Sequence, residues 1–296
     1  MFMKASAVTC QSRAEPASLL PELQPFLNRE FIKDPDGFDF FLLNQWEEFT
    51  GIFDPSNVNP QSLKISISAP PGLDQSLRAT FELTRSDLEK IKKRVITLWD
   101  DIGTGESEES FPSKPTFVVT FAYVSVCIVK ARERTQNNNS KLVLGFTADC
   151  RSRLEPPIPD NYFGNCVSVH VVDVPLEEFT MENGLIIVSR KIYSKVKMLD
   201  KAVPEEMGSV IPLWVSIFSG EFDGIGVAGS TRFGVYRTDF GWGRPIKVEI
   251  TSIDRGVSMA LAESRDGNGG VEIGMVQNKN AMNVFATVFR EGLESL

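Results

Sequence analysis

The single histidine, His170, is the side chain best suited to act as a general base, because imidazole titrates near neutral pH. Cys166 precedes it and Asp173 follows it, so a catalytic set or a metal site has to be considered. Residues 166–174 alternate as a β-strand does, and positions three apart on a strand face opposite sides of the sheet. One histidine and scattered cysteines also make no zinc set. We therefore expect a half-exposed strand histidine without a catalytic role, and no bound metal.

Two glycine-containing motifs also invite a chemical interpretation. Residues 224–229 match the GxGxxG dinucleotide fingerprint, which requires a helix directly behind it. The residues that follow have strand and turn character, so a structural loop is expected instead. Asp239-Phe240-Gly241 matches the DFG of protein kinases, but the sequence contains no HRD and no VAIK-like strand. A kinase is therefore excluded.

Composition limits the remaining function classes. The chain has 296 residues, a net charge of −8 and 42% hydrophobic residues, which favours a soluble globular protein of about two domains. The negative charge argues against a nucleic-acid or anionic-membrane surface. No signal peptide or membrane span is predicted, so the cytosol is the expected location. The four cysteines show no CxxC spacing and are expected to be free, mostly buried thiols: Cys10, Cys127, Cys150 and Cys166.

Hydrophobic periodicity predicts the elements that position these residues. Predicted helices cover residues 36–50, 86–99, 117–130 and 185–199, and a last helix is capped by Asn280. Predicted strands cover residues 77–84, 141–148, 166–174, 210–218, 231–237, 246–253, 257–263 and 271–276. Ser86 with Glu89 forms a capping-box pattern, and "SRDGNGG" predicts a hairpin. Strands and helices do not alternate regularly, so we expect a mixed α/β fold rather than a doubly wound parallel sheet.

Several segments resemble one enzyme family. The segment "YRTDFGWGRPIKVEI", together with "ADCRSRLEPPIP" and "YFGNC", is similar to plant BAHD acyltransferases. The branch it most resembles acylates sugars of anthocyanins, flavonoids and phenolic glucosides. The resemblance implies transfer of malonyl or a related acyl group from acyl-CoA to a sugar hydroxyl. It also implies acyl-CoA as cosubstrate, no resident cofactor, and a monomer when full length.

The resemblance implies a chloramphenicol-acetyltransferase-like α/β fold of two domains. In family terms the chain begins just downstream of the His-x-x-x-Asp-Gly loop, so we expect most of the first domain to be missing. The implied division has four parts: residues 1–50 as a remnant of the first domain, residues 63–238 as the second domain, residues 239–262 as a strand segment of the first, and residues 263–296 as a hairpin and helix returning to the second.

The family pattern also implies roles for particular residues. Asp239 is expected to be a buried structural anchor that pairs with Arg151 or Arg153. Two glycines are expected to bend the backbone closely against a bulky ring, in the run Asp239, Phe240, Gly241, Trp242 and Gly243. The expected coenzyme A contacts are Lys114, Thr116, Asp149, Arg151 and Ser152. Which arginine serves the ion pair and which the ligand is open.

No residue matches the catalytic histidine of the family pattern. Loss of a general base costs about 10²–10⁴ in rate, so we expect this polypeptide alone to be inactive or nearly so. We also expect more exposed apolar surface than a monomer usually carries. The alternative is a catalytically dead homologue that binds a ligand or a partner protein.

Overall fold

A mixed sheet of six strands forms the centre of the molecule. The computed structural model describes residues 2–12, 19–34, 37–50, 76–99, 111, 115–135, 142–200, 212–213, 216–217, 223–255 and 258–296. The helices are α1 (Phe2–Ser12), α2 (Phe38–Thr50), α3 (Arg85–Thr97), α4 (Thr116–Arg134), α5 (Leu176–Thr180), α6 (Gly184–Lys197) and α7 (Lys279–Glu294). The strands are β1 (Ser76–Leu83), β2 (Leu142–Asp149), β3 (Val167–Asp173), β4 (Asp223–Gly229), β5 (Ser258–Glu263) and β6 (Val271–Asn278).

The strand order confirms the mixed α/β prediction. The sheet runs β1-β6-β5-β4-β2-β3, with parallel pairing of β5 with β4 and of β4 with β2. The other neighbours are antiparallel, including the β5–β6 hairpin predicted from its turn sequence. Residues 258–262, expected in a separate segment, lie inside this sheet. Residues 239–255 run outside it, so the boundary expected at 262 falls within β5.

Helix α4 is the centre of the hydrophobic core, because it is buried nearly all round. Helices α3, α6 and α7 pack against it, and α7 inserts Phe285 and Phe289 against Phe81 of β1. The predicted burial of residues 117–130 is thereby confirmed. No described helix is long and apolar enough to cross a membrane.

Two predicted helix caps lie at other residues. Thr84, not Ser86, caps α3, and it exchanges hydrogen bonds with Asp87 in a capping box. Asn278, not Asn280, caps α7 by accepting a hydrogen bond from the amide of Ala281. In both cases the capping residue is the last one with extended backbone, which is what lets its side chain reach the first free amides.

The strand predictions failed in part of the last third of the chain. Residues 231–237 and 246–253 form turns and short 3-10 segments. Their alternation reflects single side chains anchored on the sheet, such as buried Tyr236 and Ile253, rather than pairing with a neighbouring strand. Most of 210–218 lies outside the described residues, and its described positions are helical. The predicted loop at 224–229 is part of β4.

Candidate functional site

An open groove of about 1140 Å³ lies where β2 ends and the chain turns back towards β3. One wall is α1, from which Ser6 and Cys10 reach the groove, and a second is the segment 19–29. The third wall is the segment 149–165, to which we refer as the connecting loop. Two of the sequence-predicted site residues, Asp149 and Arg151, line this groove together.

Arg151 holds the connecting loop in shape. Its guanidinium lies 2.9 Å from the Asp149 carboxylate and donates to the main-chain carbonyls of Tyr162 and Gly164, both at 3.3 Å. Asp149 also accepts from the Arg151 amide at 3.0 Å. One arginine thus joins both ends of the loop. Its Nε is buried and makes no hydrogen bond within the described part of the chain.

Arg153, an expected ion-pair partner of Asp239, and Ser152, an expected coenzyme A contact, do not line the groove. Arg153 donates to the main-chain carbonyl of Asp149, so it braces the same turn from the other side. Ser152 is exposed and is not one of the groove-lining residues. The sequence left open which arginine forms the ion pair and which contacts the ligand. In the structure Arg151 is the arginine that hydrogen-bonds across the connecting loop.

The segment 19–32 is the part of the site that the sequence did not reveal. Phe26 forms a two-way bridge with the connecting loop: its amide donates to Asn161 and its carbonyl accepts from Phe163, at 2.9 and 2.8 Å. The Asn161 side chain donates to the carbonyls of Pro21 and Gln24. The sequence assigned this segment only to a remnant of the first domain, residues 1–50. The available signal was the run of apolar residues within it, which pack on buried Tyr162 and Ile158: Phe26, Phe31 and Ile32.

Gly164 permits this close packing. A Cβ at this position would lie 2.6 Å from the Tyr162 ring and would also meet the Arg29 guanidinium. Arg29 itself lies over the Tyr162 ring, 5.1 Å from its centroid, and donates to the carbonyl of Phe163. Arg29 is therefore a second cation lining the groove, together with Arg151 and the carboxylates of Asp149 and Asp160.

The predicted contact at Thr116 lies at the first turn of α4. Phe117 packs edge-on against Phe146 of β2 with ring centroids 5.4 Å apart, so this helix end lies beside the carboxyl-terminal half of the strand that leads to Asp149. Thr116 does not line the groove. Lys114 lies outside the described residues.

The Asp239–Gly243 segment forms a loop in which backbone amides of the loop itself donate hydrogen bonds to the Asp239 carboxylate. The Asp239 carboxylate accepts from the amides of Gly241 and Gly243 at 2.7 and 3.0 Å, and both glycines have positive φ, +103° and +96°. These amides, Gly241 first, hold the pKa of the Asp239 carboxyl below its ordinary value. Gln11 of α1 donates to the Asp239 carbonyl at 2.9 Å, which fixes the loop against the first helix.

Two predictions for this loop were wrong. No ion pair between described side chains involves Asp239, which is partly exposed rather than buried. Arg151 is instead occupied by the connecting loop, and the amides supply the positive partners that a carboxylate needs. Trp242 is 93% exposed, so the glycines bend the backbone without packing it against the ring. Phe240 is partly exposed.

Tyr236 ties the start of the same loop to the sheet. Its hydroxyl donates to Glu272 of β6 at 2.6 Å and accepts from the amide of Val248, while its own amide donates to Glu263 of β5. Burial, and after it the bond to Glu272, raises the pKa of Tyr236 to about 12. A single buried phenol therefore holds both ends of the segment 236–248.

His170 is only 3% exposed, not half-exposed as predicted. Its Nε2 lies 2.6 Å from the Ser168 hydroxyl, and its ring stacks on Phe146. Asp173 points to the other face of β3, as the strand spacing predicted. Among the described residues no group of three or more His, Cys, Asp or Glu side chains is placed to hold a metal ion.

Comparison with known sequences assigns the family. The Transferase family model matches residues 42–291. Phenolic glucoside malonyltransferase 1 and malonyl-CoA:anthocyanidin 5-O-glucoside-6''-O-malonyltransferase, both of Arabidopsis thaliana, are 38% and 39% identical over 99% of this chain. Agmatine coumaroyltransferase of the same plant is 33% identical over 97%. The chain spans 62% of the length of each malonyltransferase.

Solved structures show the same fold. Vinorine synthase is similar with a TM-score of 0.52 at 17% identity, over 71% of this chain and 46% of its own. TRI101 of F. sporotrichioides, solved with coenzyme A and T-2, has a TM-score of 0.53 at 14% identity, over 74% of this chain and 52% of its own. Sequence and fold agree, and the chain belongs to the Transferase family, the BAHD acyltransferases.

Proposed function

We propose that this chain carries the acyl-CoA-binding part of an O-acyltransferase that transfers malonyl, or a related acyl group, to a sugar hydroxyl of a phenolic, flavonoid or anthocyanin glucoside. The similarity to two malonyltransferases over 99% of the chain is the observation that carries this proposal. Both relatives are named for glucoside acceptors. Two coumaroyltransferases are 33% and 32% identical to this chain, which is why the proposal includes an acyl group other than malonyl.

The groove suits the thioester side of this reaction. Two cations, Arg29 and Arg151, line the groove together with apolar side chains. Such a lining fits a ligand that has both anionic groups and a flexible chain. We propose that Asp149 and Arg151, which line the groove, contact coenzyme A there. Ser152 and Thr116, which do not line the groove, and Lys114, which lies outside the described residues, are proposed as further contacts with the same ligand. The amides of the first turn of a helix are suited to phosphate.

Acyl transfer also needs a general base and hydrogen-bond donors for an oxyanion. A base must take the proton of the sugar hydroxyl, and donors must hold the oxyanion that forms on the thioester carbonyl. His170 is buried and bonded to Ser168, so it is not placed to meet a substrate. We therefore propose that the chain by itself binds acyl-CoA but transfers acyl groups about 10²–10⁴ times more slowly than a full-length relative.

The burial of His170 also favours the second candidate, a homologue that binds an acyl-CoA, a phenolic ligand or a partner protein without catalysis. A transcript whose reading frame continues upstream into a His-x-x-x-Asp-Gly stretch would support the enzyme over this alternative. For either candidate we propose a cytosolic location, with acyl-CoA and a phenolic glucoside as ligands and a monomeric state for the full-length protein.

Two assays on the purified chain test the proposal. Isothermal titration should detect malonyl-CoA binding that free malonate at the same concentration does not reproduce. A turnover assay with malonyl-CoA and a panel of phenolic glucosides should give little or no product. Product formation at the rate of a full-length relative would contradict the proposed slow acyl transfer. Absence of any acyl-CoA binding would contradict the proposed function itself.

A further inference from the structure

Two cysteines face each other where the β2–β3 ladder ends. Asp149 of β2 pairs with Val167 of β3, and the next pair in the same register is Cys150 with Cys166. The Cys150 amide donates to the Cys166 carbonyl at 2.9 Å, so the two residues still face each other although β2 ends at Asp149 and Cys150 begins the following turn. Directly opposed residues of an antiparallel ladder have Cα atoms about 4.5–5.5 Å apart, within the range of about 4.4–6.8 Å that a disulfide bridges.

Both thiols lie on the same side of the ladder. Cys150 and Cys166 are 3% and 7% exposed, and they share one apolar cluster with Ile158 and Tyr162 of the connecting loop. Each is a free thiol. Opposed register and shared burial place the two sulfur atoms where a bond between them needs no change in strand pairing.

A chain of hydrogen bonds leads from one of the thiols to the imidazole. The Cys150 Sγ lies 3.1 Å from the Ser168 hydroxyl, which in turn lies 2.6 Å from His170 Nε2. With the ring proton on Nδ1, the thiol donates to the hydroxyl and the hydroxyl donates to Nε2. Burial, and after it the neighbouring Cys150, raises the pKa of Cys166. Because this hydrogen-bonded route starts at Cys150, we assign Cys150 as the attacking sulfur and Cys166 as the one that resolves.

We propose that Cys150 and Cys166 are a modification site that forms a reversible disulfide by exchange with a small-molecule disulfide. The Cys150 proton passes through the Ser168 hydroxyl to His170 Nε2, and the thiolate attacks one sulfur of the small disulfide. That S–S bond breaks and releases one thiolate, which takes the proton from the His170 imidazolium and leaves a mixed disulfide on Cys150. Cys166 then attacks the Cys150 sulfur, its proton leaves with the second thiolate, and the net reaction oxidises the protein dithiol while reducing one disulfide to two thiols.

The bond would lock one wall of the groove. It closes a ring around residues 151–165, the loop that Arg151 holds by hydrogen bonds alone in the reduced protein. Cross-linking a loop of this length lowers the conformational entropy of the unfolded chain and so stabilises the folded state. Because both sulfurs are shielded, the exchange requires the loop to open, and we expect it to be slower than reaction at exposed Cys10.

Peptide mapping tests the proposal directly. The chain is incubated with oxidised glutathione, quenched with acid and digested with trypsin, which cuts after Arg151 and Arg153 and so separates the two cysteines. We expect the peptides 142–151 and 154–190 to be joined by one disulfide, and the bond to be lost on treatment with dithiothreitol. The oxidised chain should melt roughly 5–10 °C higher than the reduced chain.

Four variants complete the test. C10S should leave the cross-link unchanged, and C166S should stop the reaction at a Cys150–glutathione mixed disulfide. S168A should slow cross-linking by about tenfold or more because it interrupts proton transfer, whereas S189A, which removes another buried hydroxyl on α6, should not. Glutathione on Cys10 without any 150–166 cross-link would overturn the proposal, as would cross-linking in S168A at the rate of the unmodified chain.

Discussion

The connecting loop and the Asp239–Gly243 loop are both rich in family-pattern residues, yet they are stabilised in opposite ways. The connecting loop is held by a bridge to Phe26, which lies outside it, and by its own Arg151, which spans its two ends. The Asp239–Gly243 loop is held by one carboxylate bonded to its own amides, and it leaves Trp242 93% exposed. The first loop therefore depends on tertiary contacts, and the second keeps its shape with few of them.

The two loops should therefore contribute differently to the free energy of unfolding. Substitutions in the connecting loop should change the free energy of unfolding, because they remove buried or shared contacts. Substitutions at the tip of the Asp239–Gly243 loop should leave that free energy nearly unchanged.

Arg151→Ala should lower the free energy of unfolding by about 2–4 kcal/mol, since it leaves the carbonyls of Tyr162 and Gly164 without a donor. Urea denaturation measures this change. Arg134→Ala is the matched control, because its pair with Glu291 is exposed and should be worth less than about 1 kcal/mol. Equal losses in the two variants would show that Arg151 does not hold the loop.

Gly164→Ala should cost about 1–3 kcal/mol, because the added methyl group collides with the Tyr162 ring and the Arg29 guanidinium. Gly145→Ala, on β2, is the control: its Cβ would find its nearest neighbour at 3.9 Å, an ordinary contact. Thermal unfolding of both variants compares them. A Gly164→Ala protein as stable as Gly145→Ala would contradict the tight docking of segment 19–29.

Tyr236→Phe should cost about 1 kcal/mol at neutral pH, since Glu272 and the Val248 amide lose a partner. The folded pKa is raised to about 12, so this contribution is complete below the ordinary value of 10.0 and is lost as pH rises from 10.0 towards 12. Unfolding measured at pH 8 and pH 11 should show the two proteins converging. A constant difference would argue against the buried phenol.

Trp242→Ala should change the free energy of unfolding by no more than about 0.5 kcal/mol, because its side chain is almost fully exposed. The same residue should be quenched readily by acrylamide in the folded protein. A loss above about 1 kcal/mol would show that the ring is packed, and it would remove the contrast between the two loops.

The sequence predicted five of the six sheet strands and the buried helix α4, because alternation and an apolar surface all round leave few alternatives. It did not predict β4, where Gly224, Gly226 and Gly229 interrupt the alternation. It also placed Asp149 and Arg151 in one expected set of coenzyme A contacts, and both residues line the groove. It did not predict the role of segment 19–32, whose contacts to the connecting loop join residues more than a hundred positions apart. Nor did it predict the surroundings of Asp239 or His170: a carboxylate or an imidazole can be satisfied by backbone amides or a hydroxyl, and spacing does not distinguish these from an arginine or from water.

We propose that the groove between α1, segment 19–29 and the connecting loop binds acyl-CoA. Titration calorimetry with malonyl-CoA on two matched variants measures this: Ser6→Trp fills the groove, and Val8→Trp adds the same ring to an exposed position on α1 outside the groove. We expect Ser6→Trp to weaken binding at least tenfold and Val8→Trp to stay within about twofold of the unmodified chain. Equal affinity in both variants would contradict it.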